Sequence, residues 1–355
     1  MLENNFHPLG ETTSIKELAT DVLRCKEGHR YLNQWGKSMP DTGTDTLIVN
    51  HVMSNDVKSK IFDDFLGYFA TLSPPHLSHI VSKEPIEDAN VYHYHRPNFE
   101  RKIRSNSIVT VHHDLEDSDE WLHFSKFSAQ YRQADVIVCL NSDQQNWLNS
   151  RGFTQTKVVP HGVQPRFFRT SRAASSAGEK VTIGIASRRY ARRVKGEALL
   201  IEIAKRLPPS QTRFVLIGAG RSIDANALQE LGFEVEVFEH LPYRLFSKFY
   251  ASIDALMVLS WHEGGPACIP EAVAASVPVL TTRVGMANDL IAEHENGIFL
   301  NRDPDIDARK IAQFIQSAEL RERLLTGAAS RKSTARAWSS IIADYATIYA
   351  EVSSL

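Results

Sequence analysis

Two glutamates eight positions apart, Glu263 and Glu271, flank a turn in the second half of the chain. The turn opens with three residues that suit the connection of a strand to a helix: Gly264, Gly265 and Pro266. Glycines let a ligand approach the backbone, and the N–H groups and dipole of a helix beginning near Pro266 attract phosphate. The pattern predicts a diphosphate site whose carboxylates accept hydrogen bonds from hydroxyls of a sugar nucleotide. A plain strand-to-helix turn with solvated acids is the alternative.

A cationic loop over residues 187–196 is the second candidate for anion binding. It holds four arginines and one lysine, at Arg188, Arg189, Arg192, Arg193 and Lys195. Arginine can fork onto phosphate oxygens and lysine acts as a compact point charge, so a diphosphate suits this loop. The net charge of the whole chain is only −2, which gives no overall field for nucleic acid. A solvated basic loop, or one that contacts nucleic acid, is the alternative.

Two histidines and an acid lie at the end of a strand predicted over residues 108–112. These residues are His112, His113 and Asp114. Open parallel sheets bind ligands outside the carboxyl ends of their strands, so this position favours a functional role. Because the chain contains 14 histidines, a structural role is the alternative.

These candidates are placed on an alternation of short apolar strands and helical segments, which indicates an α/β fold with parallel sheets. Strands are predicted at residues 46–52, 79–82, 90–94, 108–112, 135–140 and 157–159, and again at 181–186, 213–218, 235–238, 255–260, 279–282 and 298–300. Helices are predicted at residues 58–69, 120–132, 143–150, 197–206, 225–231, 245–251 and 271–275, and in the tail over 307–351. The small polar segment 170–179 is predicted to be a linker between the two runs.

The second run resembles a known enzyme family. The segments that carry the resemblance are DALMVLS (254–260), EGGP (263–266), PEA (270–272), VPVL (277–280) and Gly285. Together they are similar to the Glu-x7-Glu signature of family 4 retaining glycosyltransferases. The resemblance runs from about residue 181 to 300 and extends more weakly to residues 108–163 and to the tail. It implies the GT-B architecture, in which two doubly wound, Rossmann-like domains face each other across a cleft.

The resemblance divides the chain into three parts. Residues 1–167 are expected to form an N-terminal acceptor-side domain, of which residues 1–44 are an extension. Residues 168–335 are expected to form the domain that binds the nucleotide-sugar. Residues 336–355 are expected to form a terminal helix that packs back on the N-terminal domain.

The resemblance also implies roles for individual residues. An arginine and a lysine six positions apart bind the donor diphosphate in this family, a spacing that Arg189 and Lys195 have, with Arg188 as the alternative arginine. Glu263 is then expected near the sugar and Glu271 on the ribose. The implied donor-binding residues are Arg189, Lys195, Gly218, Leu241, Glu263, Gly264, Gly265, Pro266 and Glu271.

The catalytic residues that the resemblance implies are His112, Arg189, Lys195 and Glu263. A histidine near the donor sugar and the acceptor is typical of the family at the end of this first-domain strand. His112 takes that role here, and His113 is the alternative because the histidine is doubled. His113 and Asp114 are expected on the acceptor side.

The implied activity is retaining transfer of a hexose-type sugar from a UDP- or GDP-sugar to a hydroxyl of a carbohydrate, glycolipid or other acceptor. Polysaccharide or glycolipid assembly is the expected setting, with no metal and no cofactor. A GT-B epimerase or phosphorylase, and a non-catalytic nucleotide-sugar-binding protein, are the alternatives. One departure concerns the acceptor side: residues 49–54 lack the glycine-rich loop that many family members carry after the first strand.

Composition favours a cytoplasmic protein. Hydrophobic residues make up 43% and charged residues 23% of the chain, which is ordinary for a globular protein. Its three cysteines, Cys25, Cys139 and Cys268, are widely separated and odd in number, which fits a reducing compartment. Residues 1–20 lack a secretory pattern and no apolar stretch has the length of a membrane span. We expect peripheral contact with the inner face of the membrane and no nucleic-acid partner.

Overall fold

The structure, a computed structural model, describes residues 46–53, 60–170 and 179–355, and only the backbone of residues 60–63. The predicted extension over residues 1–44 and most of the predicted linker over residues 170–179 lie outside the described residues. Within the described ranges, the helices are too short or too polar to cross a membrane.

The first domain is a six-stranded parallel sheet covered by helices. Its strands are β1 Leu47–Val52, β2 Leu77–Ser82, β3 Val91–Tyr94, β4 Ser107–Val111, β5 Val136–Cys139 and β6 Thr156–Val158. Their order across the sheet is β2-β1-β3-β4-β5-β6. Its helices are α1 Lys60–Leu72, α2 Ser128–Tyr131 and α3 Ser142–Asn149. The central strands β3, β4 and β5 are buried throughout, and their sequences are mostly apolar, as expected for parallel strands that are covered on both faces.

The segment before β5 is not the continuous helix predicted over residues 120–132. It consists of a 3₁₀ turn over Phe124–Lys126 and the single-turn helix α2. The Asp119 carboxylate accepts a hydrogen bond from the backbone N–H of Trp121, and the His123 ring accepts one from that of Ser125. Side chains that bond nearby backbone groups compete with a helix, so the segment forms a series of short turns.

The second domain repeats this architecture. Its strands are β7 Val181–Ala186, β8 Thr212–Ile217, β9 Glu234–Phe238, β10 Ala255–Val258, β11 Val279–Thr282 and β12 Gly297–Leu300, in the order β12-β11-β10-β7-β8-β9. Its helices are α4 Glu197–Ala204, α5 Arg221–Glu230, α6 Phe246–Ser252, α7 Cys268–Ala274, α8 Ala287–Leu290, α9 Pro304–Gln316 and α10 Ala318–Arg331. Two parallel sheets flanked by helices confirm the predicted α/β fold of two doubly wound domains.

Each sheet has a point at which the winding reverses. In the second sheet β7 lies between β8 and β10, so the chain winds outward from β7 on one side and from β10 on the other. The loops after two such strands leave toward opposite faces, and a crevice opens between them at the carboxyl ends of the strands. The loop after β7 and the loop after β10 therefore meet at this crevice.

The last helix, α11 Trp338–Ser353, packs on the first domain although it follows the second domain in the chain. Its buried residues Trp338, Tyr345 and Tyr349 join the apolar core formed with β1, β4 and α1. Trp338 stacks on Tyr68 with ring centroids 4.6 Å apart. The domain boundaries predicted after residues 167 and 335 stay predictions.

Two helical glycines offer the same substitution with opposite expected effects. A Cβ on Gly67 of α1 would meet no atom within 4 Å, whereas one on Gly327 of α10 would collide with the backbone carbonyl of Glu295. We expect Gly67→Ala to raise the free energy of unfolding by about 0.5–1 kcal/mol, because glycine loses more backbone entropy on folding. We expect Gly327→Ala to lower it by about 1–3 kcal/mol, because α10 must move away from Glu295.

Urea unfolding followed by circular dichroism measures both changes. A Gly327→Ala variant as stable as the wild type would contradict the close packing of α10 against Glu295, and a destabilised Gly67→Ala variant would contradict the open space beside Gly67.

Candidate active site

Lys195 and Glu263 form an ion pair at the crevice of the second sheet. Lys195 lies near the end of the cationic loop after β7, and Glu263 follows β10. The lysine ammonium contacts Oε1 of the carboxylate, and Ser260 Oγ donates a 2.8 Å hydrogen bond to the same oxygen. The side chains of the pair are only 14% and 12% exposed. Burial is the largest single effect and would by itself lower the pKa of Lys195, but the charge and the hydrogen bond of Glu263, with smaller contributions from Tyr190 and Cys268, together outweigh burial and raise that pKa. The lysine is therefore cationic at neutral pH.

A cavity of about 20 Å³, large enough for one water molecule, lies beside this ion pair. Ser187 and Arg221 add polar atoms to its lining. Arg221 is 1% exposed, and its guanidinium donates hydrogen bonds to the carbonyl oxygen of Ser187 at 2.8 Å and to its hydroxyl at 2.7 Å. Arg221 therefore fixes the start of the cationic loop.

Arg189 is held by an acid of the following helix. Its Nε donates a 3.3 Å hydrogen bond to Oδ1 of Asp224, and its side chain is 19% exposed. Asp224 also accepts a 2.7 Å hydrogen bond from Arg221. The alternative arginine, Arg188, is exposed and lies 5.0 Å from the ring centre of Tyr190. Of the two candidate arginines, Arg189 is the one held in a fixed position near Ser187.

The two domains touch at the glycine turn, residues 264–265. A Cβ on Gly264 would lie 2.5 Å from the carbonyl oxygen of His112, and one on Gly265 would lie 2.7 Å from Cδ1 of Leu140. The Gly264 carbonyl accepts a 2.8 Å hydrogen bond from Nδ2 of Asn141. The sequence analysis predicted that these glycines let a ligand approach the backbone. In the structure Gly264 admits the backbone of the first domain and Gly265 admits the side chain of Leu140, because only residues without a side chain fit there.

Polar contacts beside the glycine turn also join the domains. His262 Nδ1 lies 2.9 Å from Oδ2 of Asp114, which was predicted on the acceptor side. Arg192 forms ion pairs with Asp117 at 2.8 Å and with Asp119 at 2.7 Å. The Arg192 hydrogen bond lowers the pKa of Asp119. One arginine of the cationic loop is therefore neutralised by the first domain.

His112 and His113 have different surroundings, as successive residues at a strand end do. His112 is partly exposed, and its Nε2 lies 3.2 Å from Nδ1 of His95. His113 is 3% exposed, stacks on Phe127 with centroids 4.0 Å apart, and bonds the Tyr131 hydroxyl at 2.9 Å. The ring of His113 therefore packs in the core of the first domain, and the acceptor-side role expected for this residue stays a prediction.

Glu271 lies on α7, which begins at Cys268, two positions after Pro266 and thus near the predicted start. Its carboxylate accepts hydrogen bonds from the hydroxyls of Tyr243 at 2.6 Å and Tyr250 at 2.8 Å, and the residue is 5% exposed. Burial raises the pKa of Glu271 to about 7, although the two hydroxyls oppose that shift. A ribose at Glu271 would have to share or replace these hydroxyls.

A mostly apolar cavity of about 260 Å³ lies between the domains. Its lining residues come from both of them: Asp64, Phe65, Tyr68, His161, Gly162, His240, Leu241, Tyr243, Phe246, Ala267 and Trp338. Leu241, an expected donor-binding residue, is 5% exposed and forms part of this wall. Tyr243 connects the cavity with Glu271 through its hydroxyl.

Gly218 and Pro266, also expected donor-binding residues, support the loops of the crevice. Gly218 follows β8 with φ at +136°, and a Cβ there would collide with the carbonyl of Ser187. Pro266 is buried, and its Cδ would lie 2.5 Å from a Cβ on Gly285. Gly218 and Gly285 thus allow close packing around the crevice, with Pro266 filling the space beside Gly285.

Several site residues were not predicted from the sequence: Arg221, Asp224, Tyr243, Tyr250 and His262. Arg221 directly follows the strand-end segment Ile217-Gly-Ala-Gly, so a charged residue at a helix start was the available indication. No feature of the sequence indicated a role for Tyr243 and Tyr250, because their contact with Glu271 depends on how α6 packs against α7.

Residues 168–331, just under half of the chain, match the model of the family described as glycosyl transferases group 1. An uncharacterized glycosyltransferase of Methanocaldococcus jannaschii is 22% identical over 281 residues, which cover 74% of this chain and 71% of that protein.

Solved structures with a similar fold include a synthase and a protein solved with a nucleotide. The sucrose-phosphate synthase of Thermosynechococcus elongatus has a TM-score of 0.68 at 14% identity and covers 86% of this chain and 99% of its own. HepE of Anabaena, in complex with UDP and glucose, has a TM-score of 0.65 at 16% identity and covers 87% of this chain and 100% of its own. The fold is thus GT-B, and the family match and the relatives support a glycosyltransferase.

The contact at the glycine turn predicts that Gly264→Ala separates the domains. The new methyl group would meet a backbone oxygen of His112, which cannot rotate away. Small-angle X-ray scattering should give a larger radius of gyration, and the amides of residues 112–114 should exchange faster with solvent. Gly265→Ala is the matched control with a smaller expected change, because its methyl group meets the mobile end of Leu140. An unchanged radius in Gly264→Ala would contradict the contact.

The raised pKa of Glu271 makes stability depend on pH. Its folded-state pKa of about 7 lies above the ordinary glutamate value of about 4.3, so its contribution is full below about pH 4 and is lost as the pH rises through 7. We expect the stability of Glu271→Gln relative to the wild type to grow by roughly 1.4 kcal/mol per pH unit between pH 5 and 7, then to level off. Urea unfolding at pH 5, 6, 7 and 8 measures it, and a difference independent of pH would contradict the shift.

Proposed function

We propose that the protein is a metal-independent, retaining glycosyltransferase that moves a hexose-type sugar from a UDP- or GDP-sugar to a hydroxyl acceptor. The observation that carries the proposal is the ion pair of Lys195 and Glu263 at the crevice, with Arg189 anchored on the same loop. The family match over residues 168–331 and the similar fold of a protein solved with UDP and glucose support it.

The chemistry required is stabilisation of a leaving group. The nucleoside diphosphate gains negative charge as its bond to the sugar breaks, and a fixed cation aimed at that charge lowers the barrier. Lys195 is such a cation, because Glu263 keeps it protonated and in place. When the diphosphate takes over the ammonium, the Glu263 carboxylate becomes available to accept a hydrogen bond from a sugar hydroxyl. Lys195 and Arg189 together then do the work that a metal ion does in other phosphate sites.

In this proposal the first domain binds the acceptor, with His112 and Asp114 at its boundary with the second domain. The acceptor is a carbohydrate, a glycolipid or another hydroxyl compound of polysaccharide or glycolipid assembly, reached by peripheral contact with the inner face of the membrane. The sugar moves from the donor, which the second domain (residues 168–335) binds, to the acceptor, which the first domain (residues 1–167) binds.

Two other functions would use a similar site. A GT-B epimerase or phosphorylase would need the same cradle for the diphosphate, and a non-catalytic protein would need only to bind the nucleotide-sugar. The presence of Arg189, Lys195, Glu263 and Glu271 together favours an enzyme. Product analysis separates the enzymes, because only a transferase joins the sugar to a second hydroxyl.

A donor panel with two variants tests the proposal. Among UDP-, GDP- and ADP-sugars, we expect a UDP- or GDP-sugar to raise Tm, with a stabilisation of about 2.7 kcal/mol at 100 times Kd. With that donor, Lys195→Ala should lower kcat by about 10²–10³-fold, because it removes a charge aimed at the leaving group. Glu271→Ala should weaken donor binding. Release of nucleoside diphosphate measures the rates, with and without EDTA.

Lys205→Ala is the matched control, since this exposed lysine lies just after α4 and, among the residues that the structure describes, its ammonium pairs with the partly exposed Glu202. A panel without any Tm shift would contradict the donor site. Wild-type kinetics in both Lys195→Ala and Glu271→Ala would contradict the assigned roles, and loss of activity in EDTA would contradict metal independence.

A further inference from the structure

Four histidines of the first domain form a continuous hydrogen-bonded chain. Nε2 of His112 lies 3.2 Å from Nδ1 of His95, and Nε2 of His95 lies 3.0 Å from Nδ1 of His51. Nε2 of His51 then lies 2.9 Å from Nδ1 of His79, whose Nε2 lies 2.7 Å from the hydroxyl of Ser73. These residues are called the histidine chain below. It crosses four neighbouring strands, from the end of β4 to β2 at the edge of the sheet.

The middle of the histidine chain is buried and its two ends are not. His51 is 0% and His95 is 1% exposed, whereas His112, His79 and Ser73 are partly exposed. Apolar rings close off the middle, and Phe69 lies with its centroid 4.7 Å from that of His51. The chain therefore joins the contact region of the two domains, where the His112 backbone meets Gly264, with the far edge of the first sheet.

Every link of the histidine chain has the same polarity. A neutral imidazole has one donor and one acceptor nitrogen, and each link here joins Nε2 of one ring to Nδ1 of the next. All four rings can thus carry the proton on Nε2, or all four on Nδ1, without any ring turning. Burial lowers the pKa of His95 to about 3 and that of His79 to about 4, so these rings stay neutral at physiological pH.

Two simpler explanations account for less. The first is that the hydrogen bonds only satisfy buried imidazole rings, because a buried polar group needs a partner. That need does not explain why all the links have the same polarity, or why both ends of the chain are partly exposed. A metal ion is the other explanation, since ligand atoms of His51, His93 and His95 lie within 4.8 Å of one another. However, both nitrogens of His93 are engaged, by the Tyr349 hydroxyl at 2.8 Å and by the Thr110 hydroxyl at 2.7 Å.

We infer that the histidine chain is a proton relay. It connects the contact region of the two domains, where His112 lies, with solvent at the edge of the first sheet. The inference rests on the proposed function. In the transfer, the acceptor oxygen bonds to the anomeric carbon, and the donor carbon–oxygen bond breaks with its electron pair going to the diphosphate. The proton of the acceptor hydroxyl passes to Nδ1 of His112.

The remaining steps move one proton per link. His112 gives its Nε2 proton to His95, His95 gives its own to His51, and His51 gives its own to His79. His79 then delivers a proton to Ser73 and water, so charge and atoms balance without a long-lived buried cation. All rings end with the proton on Nδ1. The chain resets when Ser73 returns a proton to His79 and each ring passes its Nδ1 proton to Nε2 of the next ring toward His112. His112 then gives its Nδ1 proton to an oxygen of the departing nucleoside diphosphate, which carries that proton away.

Proton exchange in the protein without substrate tests the relay first. In protein labelled with ¹⁵N-histidine, we expect the imidazole N–H of His51 and His95 to exchange with water at least about tenfold faster than that of His93. His93 is the matched reference because it is equally buried, at 0% exposed, but lies off the chain. Equal protection of all three rings would overturn the relay, whether or not the protein transfers sugar.

A pair of variants then tests its use in the reaction. Glutamine keeps a donor and an acceptor but does not pass a proton on, so His51→Gln should lower the single-turnover transfer rate by about tenfold or more. The donor KM should stay unchanged and the solvent isotope effect of the wild type should be lost. His93→Gln should keep the wild-type rate and isotope effect.

Three results would overturn the relay: wild-type rates in His51→Gln, equal losses in both variants, or one equivalent of Zn²⁺ bound by the wild type and lost in His51→Gln. If His51→Gln does not fold, His79→Gln at the partly exposed end takes its place, with the same expected loss. Absence of turnover by the wild type with every donor would contradict the proposed function instead, and the exchange measurement would still decide on the relay.

Discussion

The ion pair of Lys195 and Glu263 depends on a property of the whole second sheet, the reversal of winding between β7 and β10. Burying two charges costs several kcal/mol per ion, which their attraction repays only with good geometry and further hydrogen bonds. Here the strand ends set the geometry, and the Ser260 hydroxyl supplies a further bond. In the proposed function, an incoming diphosphate would meet a lysine that is already desolvated and charged. It would have to displace a carboxylate rather than a shell of water.

The same loop that carries Glu263 also carries the contact with the first domain. Gly264 lies one residue further on and meets the backbone of His112, the residue that follows β4. The donor-side charges and the strand end of the first domain are therefore positioned by one short segment. A relative movement of the two domains would shift His112 against Glu263, so the position of the domains and the geometry of the site change together.

The sequence predicted those parts of the structure that depend on local pattern. Apolar runs located the strands, and the residues around Glu263 located the crevice. Other parts depend on tertiary contacts. The helix predicted over residues 120–132 was wrong because side chains such as Asp119 bond the local backbone. His112 and His113 are adjacent in the sequence, and their side chains have different surroundings only because successive residues at a strand end point to opposite faces.

The histidine chain shows the same limit more clearly. Its successive members are separated by 17, 44 and 28 positions in the sequence. They meet only because β2, β1, β3 and β4 pair in one register, with His51 of β1 opposite His93 of β3. A shift of one residue in any of these strands would turn a ring to the other face. No spacing rule along the chain could have indicated such a network.

The return of α11 to the first domain has a consequence for biosynthesis. Domains tend to fold as units, N-terminal first, while the chain emerges from the ribosome. Here the core around Phe65 and Phe69 lacks Tyr345 and Tyr349 until the whole second domain has been synthesised. The nascent first domain therefore exposes an unfinished apolar face throughout that time, until α11 follows the second domain and closes it.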